Sequence, residues 1–338
     1  WARRRAMATF GDWMRLLRIH SAALTWGIIV LGFIVAGGDL FSWQALLWAA
    51  VGVAWHGWGF VENSWCDRFI DKADVGKKDF PLVTGAITDD QAVYLANALL
   101  CITIILTAWQ VAMANSIAGL ILLAVTIVCG SAYNIYSKRS PWAWVALTFG
   151  WGLFPLIPVV TVVPMLTLPV ILFIIFFLTH FMVNTATESA MKDLDSPERN
   201  VVKALGGSVT DGVFYGNAKT RLLAMAPKVA GVLIGILLAM QLGLGFDAAS
   251  MFVWIPYGAF AVVSLVMTER LSRYPFPWND HDITKRCVVI EVTWMFSLVF
   301  AMQPLLGWVG VLAMLTLPFL YFIIVNYLTF KTGFTPAV

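Results

Sequence analysis

Ten mostly apolar stretches of roughly 18 to 25 residues follow one another along this chain, with only short polar breaks between them. They cover residues 17–37, 44–65, 91–113, 116–136, 142–163, 166–187, 222–244, 249–267, 286–302 and 306–330. A stretch of that length crosses a hydrocarbon layer of about 30 Å as a helix. A helix also satisfies its own backbone where no water is present. The expected fold class is therefore all-α, a polytopic transmembrane helical bundle of nine to ten spans. The composition agrees: 12% of residues are charged and 60% hydrophobic, against about 25% charged in soluble domains.

Lys and Arg gather at alternate ends of these spans. Arg3, Arg4, Arg5, Arg15 and Arg18 precede the first; Arg68, Lys72, Lys77 and Lys78 follow the second; Lys138 and Arg139 follow the fourth. Lys192 to Lys228 join the sixth to the seventh, Arg270 to Arg286 the eighth to the ninth, and Lys331 follows the tenth. The opposite connections, near 38–43, 114, 164, 246 and 303, carry neither type. Positive-inside bias then puts both termini and every large loop on the cytoplasmic-type side. One domain is expected over 1–338, with cap loops near 66–90, 134–142, 188–221 and 268–286. Residues 286–330 hold either two spans or one long span and a re-entrant piece.

The net charge of +3 follows from those loops. No basic stripe is interleaved with aromatics in a soluble segment, so no nucleic-acid partner is expected. Cys66, Cys101, Cys129 and Cys287 are scattered and form no CxxC pair, which argues against a disulfide framework. Most of the 16 Trp are expected in interfacial belts. The chain opens on Trp1 rather than Met, as expected where a leader has been trimmed.

The few acids are not spread evenly. Asn63, Asp67 and Asp71 are each four residues apart, which on a helix makes one slanted stripe where the second span leaves hydrocarbon. Two carboxylates and an amide oxygen near water suit Mg²⁺, which takes a few carboxylates together with substrate phosphates. The alternative is a solvated helix end that balances Arg68 and Lys72. A second segment, NTATESAMKDLDSPERN, echoes the first: Asn184 and Glu188 repeat the spacing at the same end of the sixth span. On a continuous helix Asp195 returns to nearly the face of Glu188, whereas Asp193 points roughly 140° away. Glu188 and Asp195 are therefore expected as ligands ahead of Asp193. Two such stripes facing each other describe a site where metal ions hold a polyanion. Tyr133, Lys138 and Arg139 reach the same side, and Lys77, Lys78, Lys138 and Arg139 are candidates for its phosphate oxygens.

At N63SWCD67RFID71, FPLVTG at 80–85 and YNIYSKR at 133–139, the chain resembles the UbiA superfamily of intramembrane prenyltransferases. The three places correspond to that family's NxxxDxxxD pattern, its proline-containing loop and its Tyr/Lys loop. The resemblance implies a bundle around a central cavity, capped on the cytoplasmic side. It implies that Mg²⁺ and an isoprenoid diphosphate are held between two acidic motifs. Asn63, Asp67, Asp71, Asn184, Glu188 and Asp195 would be the metal ligands, and Arg68, Lys77, Lys78, Lys138, Arg139 and Lys192 the diphosphate-binding cations. Most members transfer the prenyl group to an aromatic or lipid acceptor, and some cyclise it. Ser64 stands where the family often has Asp, Phe80 where it has a basic residue, and the second motif is loosened by Lys192.

Two histidines lie inward of the stripes: His56, seven residues before Asn63, and His180 beneath Asn184 with Phe177 and Phe173. With Tyr133 they are the catalytic candidates, a neutral imidazole being able to take the proton lost by an acceptor or a carbocation. The alternative for each is a hydrogen-bonded core histidine. A transporter is the rival class, but carriers place coupling groups near the midplane, and no Asp, Glu, Lys or Arg falls at the centre of these spans.

Overall fold

The computed structural model describes residues 8–72, 77–163, 165–194 and 199–330. It is a bundle of long helices: α1 (Phe10–Leu16), α2 (Ala22–Val35), α3 (Trp43–Asp71), a short α4 (Pro81–Thr84), α5 (Asp89–Ala114), α6 (Ala118–Tyr136), α7 (Ala143–Leu153), α8 (Leu156–Val162) and α9 (Leu168–Val183). A π turn, Asn184–Glu188, joins α9 to α10 (Ser189–Lys192), and α11 (Val201–Ala204), α12 (Ala218–Gln241), α13 (Met251–Ser272), α14 (Asp280–Ala301) and α15 (Gln303–Phe330) follow.

Six helices are long and apolar enough to cross a membrane by themselves, and eight spans are reached if each bent pair counts as one. Nine to ten spans are therefore not reached on length and composition among the described residues. The reason is chemical: α3 and α14 have 29 and 22 residues, but before Glu62 α3 mixes Gln44, His56, four Trp and three Gly among its apolar residues, and α14 carries Lys285, Arg286 and Glu291. The bends have local causes. The first pair turns by 54° at Arg18, whose φ of 45° is left-handed; the second, α7 with α8, turns by 42° at Pro155, which has no N–H to continue the ladder. Residues 286–330 form two helices that meet at Met302, with Gly307 (φ 61°) interrupting the second.

The core is aromatic. Trp48, Trp55, Trp294, Phe154, Phe173, Phe176 and Phe177 are fully buried, so part of the Trp set lies inside rather than in belts; Trp43, Trp109, Trp142 and Trp308 are exposed. The loop-rich end adds what an all-α expectation omits, a small antiparallel sheet of β1 (Ser208–Thr210), β2 (Val213–Tyr215) and β3 (Phe276–Pro277). Asp211 and Gly212, both at positive φ, make the tight turn that Asp-Gly favours. Trp278 donates from Nε1 to the Met191 carbonyl at 3.1 Å, tying this sheet to the end of α10 over a second apolar cluster that includes Met191, Phe214 and Ile283.

Candidate active site

At 1.5 Å per residue α3 is about 43 Å long, well beyond a 30 Å layer, so its last turns project past the apolar zone. Asp67 and Asp71 sit there, 7% and 5% exposed. Both have countercharges. Lys77 Nζ lies 2.8 Å and Lys138 Nζ 2.6 Å from Asp71 Oδ1, and Lys138 Nζ is 3.7 Å from Asp67 Oδ2. Local sequence delivers both lysines. The Phe80 amide donates to the Lys77 carbonyl, Pro81 opens α4 at its first position, and Gly85 (φ 74°) closes it in the left-handed region. On the other side α6 ends at Tyr136, the Ser137 amide turns back to the Tyr133 carbonyl at 2.7 Å, and Lys138 follows directly.

Two residues outside the sequence expectation complete this half. Glu62 keys α6 to α3: Asn134 Nδ2 donates to its Oε2 at 2.7 Å and Ser131 Oγ to its Oε1 at 2.9 Å. That fixes the rotation of α6 and presents Tyr133. Arg18 lies with its guanidinium 4.9 Å from the centre of the Phe60 ring, its charge facing Asp71, Tyr133, Asp193 and Asp67. The sequence offered Arg18 only as one of five basic residues before the first span.

The second acidic segment departs from expectation. Asp193, rather than Glu188, faces Arg18 and Tyr133 and lines a small cavity of about 40 Å³ with Tyr133, Ser137 and Arg199. Glu188 is 1% exposed and turns to Glu291, Lys228 and Lys192. A continuous α-helix would carry Glu188 and Asp195 on one face. In the structure the Ser189 amide bonds to Asn184 across a π turn, which shifts the helical register, and the helix stops at Lys192, with Asp193 at φ −101° and ψ 20°. Asn184 follows Glu188 away from the acidic mouth: its Nδ2 donates to Glu291 Oε1 at 3.0 Å. Asp195 lies outside the described residues.

Of the other cations assigned to diphosphate, Arg68 pairs with Asp89 at 3.0 Å and packs on Trp65 and Phe69, turned from Asp71. Lys78 and Arg139 are exposed, and half-buried Lys192 faces Glu188. His56 is 2% exposed with both nitrogens used. Nε2 is 3.0 Å from the Arg18 carbonyl, which only accepts, so Nε2 carries the proton and Nδ1 accepts from Thr25 Oγ1 at 2.8 Å. It is a pin between α3 and the first helix pair, the core-histidine alternative. His180 instead donates from Nε2 to Glu291 Oε2 at 2.9 Å. Lys228 and Glu291, near the ends of their expected spans, stand near the middle of the observed α12 and α14. The expectation of no charge at a span centre is therefore corrected.

Among the described residues no three His, Cys, Asp or Glu side chains gather closely enough to hold an ion unaided. Asp67 and Asp71 supply two carboxylates that fit a hard cation whose remaining ligands are water and ligand oxygens. The mouth so built, carboxylates ringed by Lys77, Lys138 and Arg18 over an aromatic floor, suits a polyanion carried on an apolar tail.

That reading agrees with the chain's relatives. The chain belongs to the UbiA prenyltransferase family, whose model matches residues 25–281, and is thus a multi-pass membrane protein. Among solved structures it is similar to digeranylgeranylglyceryl phosphate synthase, at 18% identity and TM-score 0.60 over 89% of this chain and 97% of that one. It is also similar to a UbiA homologue from Aeropyrum pernix K1, at 16% identity and TM-score 0.63 over 85% and 100%. A third is a homologue from Archaeoglobus fulgidus bound to GPP and Mg²⁺, at 14% identity and TM-score 0.58 over 87% and 99%. No curated protein matches the sequence.

Proposed function

We propose that the chain is a Mg²⁺-dependent intramembrane prenyltransferase that ionises an isoprenoid diphosphate and passes the prenyl group to an aromatic or lipid acceptor. The observation that carries this reading is the pairing of Asp67 and Asp71 with Lys77 and Lys138 opposite Arg18, Tyr133 and Asp193. A family relative solved with GPP and Mg²⁺ supports the ligand class. Asp67 and Asp71, with Asp193 opposite, would hold the metal. When bound, Mg²⁺ acts as a Lewis acid on the diphosphate oxygens and stabilises the leaving group. Lys77, Lys138 and Arg18 neutralise the pyrophosphate as it separates, the two ammonium groups moving from carboxylate to phosphate oxygens. Tyr133 donates from its hydroxyl at the same mouth. The site opens on the cytoplasmic-type side.

Terpene cyclisation is the second reading, and one observation favours it. Ring contacts run unbroken from Phe60 to Trp151 (6.4 Å), Phe181 (5.6 Å), His180 (5.1 Å) and Trp294 (5.8 Å), a wall that stabilises a travelling cation by about 1 to 2 kcal/mol per desolvated ring. The transporter alternative has no support from the family. The test offers purified protein geranyl, farnesyl and geranylgeranyl diphosphate with Mg²⁺ or with EDTA, with and without aromatic and lipid acceptors. Mg²⁺-dependent pyrophosphate release is expected. An acceptor-derived product identifies the transferase and a cyclic hydrocarbon without acceptor the cyclase; no release with any donor overturns both readings.

A further inference from the structure

A second polar centre lies inside the bundle, apart from the acidic mouth. Its residues come from three elements: His180, Asn184 and Glu188 from α9 and the π turn, Lys228 from α12, and Glu291 and Trp294 from α14. Its two carboxylates are treated differently. Glu291 receives a donor on each oxygen, His180 Nε2 at 2.9 Å and Asn184 Nδ2 at 3.0 Å. Among the described residues Lys228 Nζ, His180 Nδ1 and Trp294 Nε1 have no hydrogen-bond partner, and the Glu188 carboxyl meets only the Glu291 carboxyl and the Cys287 thiol. Glu188 is 1% and Lys228 0% exposed. Lys228 rests 4.3 Å from the Trp294 ring centre, a contact made possible by Gly231, where a Cβ would stand 2.4 Å from that ring.

Buried polar atoms are nearly always paired, and an unpaired ionisable group inside a membrane bundle is strongly disfavoured. Three such atoms around a carboxyl whose neighbours are a second carboxyl and a thiol mark a functional centre rather than a packing accident. The groups facing Glu188 are Glu291, Lys228, Lys192 and Cys287. Lys228 is the sole fully buried cation among them, so two carboxyls share one buried ammonium. With both of its oxygens occupied by donors, Glu291 is fixed as a carboxylate. Glu188 is the member with room to accept and release a proton. The aromatic wall that begins at Phe60, beneath Arg18, ends at His180 and Trp294 in this centre.

Prenyl transfer and cyclisation both leave a proton over. In transfer, R–OPP and A–H give R–A, pyrophosphate and H⁺; in cyclisation the last cation gives an alkene and H⁺. We propose that Glu188, set by Glu291, Lys228 and His180, is the base that takes this proton. The C–H or O–H bond breaks, its electron pair stays in the product, and the proton passes to the Glu188 carboxylate. This rests on the prenyl-diphosphate reading above and adds a catalytic residue to it.

The experiment reads the ratio of proton-loss product to pyrophosphate released, using whichever donor and acceptor the wild type turns over with Mg²⁺. Glu188→Gln keeps the shape and removes the base. The expected result is pyrophosphate release within about tenfold of wild type but a product ratio lower by about 10²-fold or more, the usual scale of general-base catalysis, with the prenyl alcohol from water capture in its place. The pH dependence of the ratio is lost with it. If Glu188→Gln does not fold, Glu188→Gln/Lys228→Met removes the carboxylate and the ammonium together and is expected to fold with the same low ratio. An unchanged ratio and pH profile in a folded variant overturns the proposal. So does loss of folding in both variants, because the cluster is then structural. Absence of pyrophosphate release from the wild type is a different outcome, which overturns the prenyl-diphosphate reading itself.

Discussion

The acidic mouth and the sealed centre use the same residue types to opposite ends. At the mouth, Asp71 Oδ1 is shared by two lysines at 2.8 and 2.6 Å, on a helix end that has left the apolar zone. In the centre, the fully buried Lys228 ammonium stands without a hydrogen bond and the fully buried Glu188 carboxyl meets only another carboxyl and a thiol. A paired carboxylate near water exchanges its lysine for a better ligand at modest cost; one set against a second carboxyl in a dry bundle gains from any proton that reaches it. The first arrangement suits binding and release of a charged group, and the second suits one proton transfer.

The sharpest way to break this division is at Asp71. Asp71→Asn removes a proposed metal carboxylate and leaves Lys77 and Lys138 facing a neutral amide. Pyrophosphate release is expected to fall about 10²- to 10³-fold, and saturating Mg²⁺ is not expected to restore it; EDTA should reduce the wild type to the same level. Asp193→Asn is expected to lower release by about 10- to 100-fold, at the small end of that scale because one carboxylate pair remains. Release that survives Asp193→Asn but collapses in Glu188→Gln would reverse the assignment of the two regions.

That reversal would restore the sequence expectation for the second segment, from which the structure departs for a local reason. The stripe Asn63, Asp67, Asp71 was legible because four-residue spacing on one regular helix needs no tertiary information. The second stripe was not, because a π turn leaves no spacing signature and moves every later residue to another face. Glu291 and Lys228 were hidden for another reason. Each is a lone charge in an apolar run, and the residues facing them, 107 positions away for Asn184 and Glu291, have no local link. The long helices were readable from hydropathy, though not their number as spans, and the small sheet was not readable: its strands have two or three residues, and β3 comes from a distant loop. Of its parts, only the Asp211–Gly212 turn had a signature.

Lys138 probes the mouth more gently. Its ammonium bridges Asp71 and Asp67 in this structure and is proposed to meet pyrophosphate as it leaves. Lys138→Met is expected to cost about 1.5 to 3 kcal/mol of transition-state stabilisation, the range for a hydrogen bond to a charged group, or about 10- to 100-fold in kcat/KM with the product ratio unchanged. A changed ratio would mean that the two regions share one function.

His56 separates structure from chemistry. His56→Leu removes the acceptor of the Thr25 hydroxyl, which is left buried without a partner, and one donor to the Arg18 carbonyl, which keeps those of Ser21. The expected loss is about 1 to 3 kcal/mol of stability, read as a lower thermal midpoint in detergent. Because the Arg18 carbonyl loses this contact, donor KM is also expected to rise several-fold. The product ratio should stay at the wild-type value, which no role for His56 as the proton acceptor allows.

Arg68 gives the smallest effect and bounds the mouth from outside. It stands next to Asp67 in sequence, yet one residue is about 100° of helix, and that turn takes its guanidinium to Asp89 at 3.0 Å and onto the faces of Trp65 and Phe69. Asp89 is about half exposed, so the ion pair contributes about 0.2 to 1 kcal/mol, and stacking on partly exposed rings adds about as much. Arg68→Ala is therefore expected to shift stability by about 1 to 2 kcal/mol and to leave both pyrophosphate release and the product ratio within about twofold of wild type. A loss approaching that of Lys138→Met would show that Arg68 leaves Asp89 and turns to the diphosphate when the donor binds. The mouth would then extend around the outer face of α3, and the boundary between a binding region and its scaffold would lie one residue further along the helix.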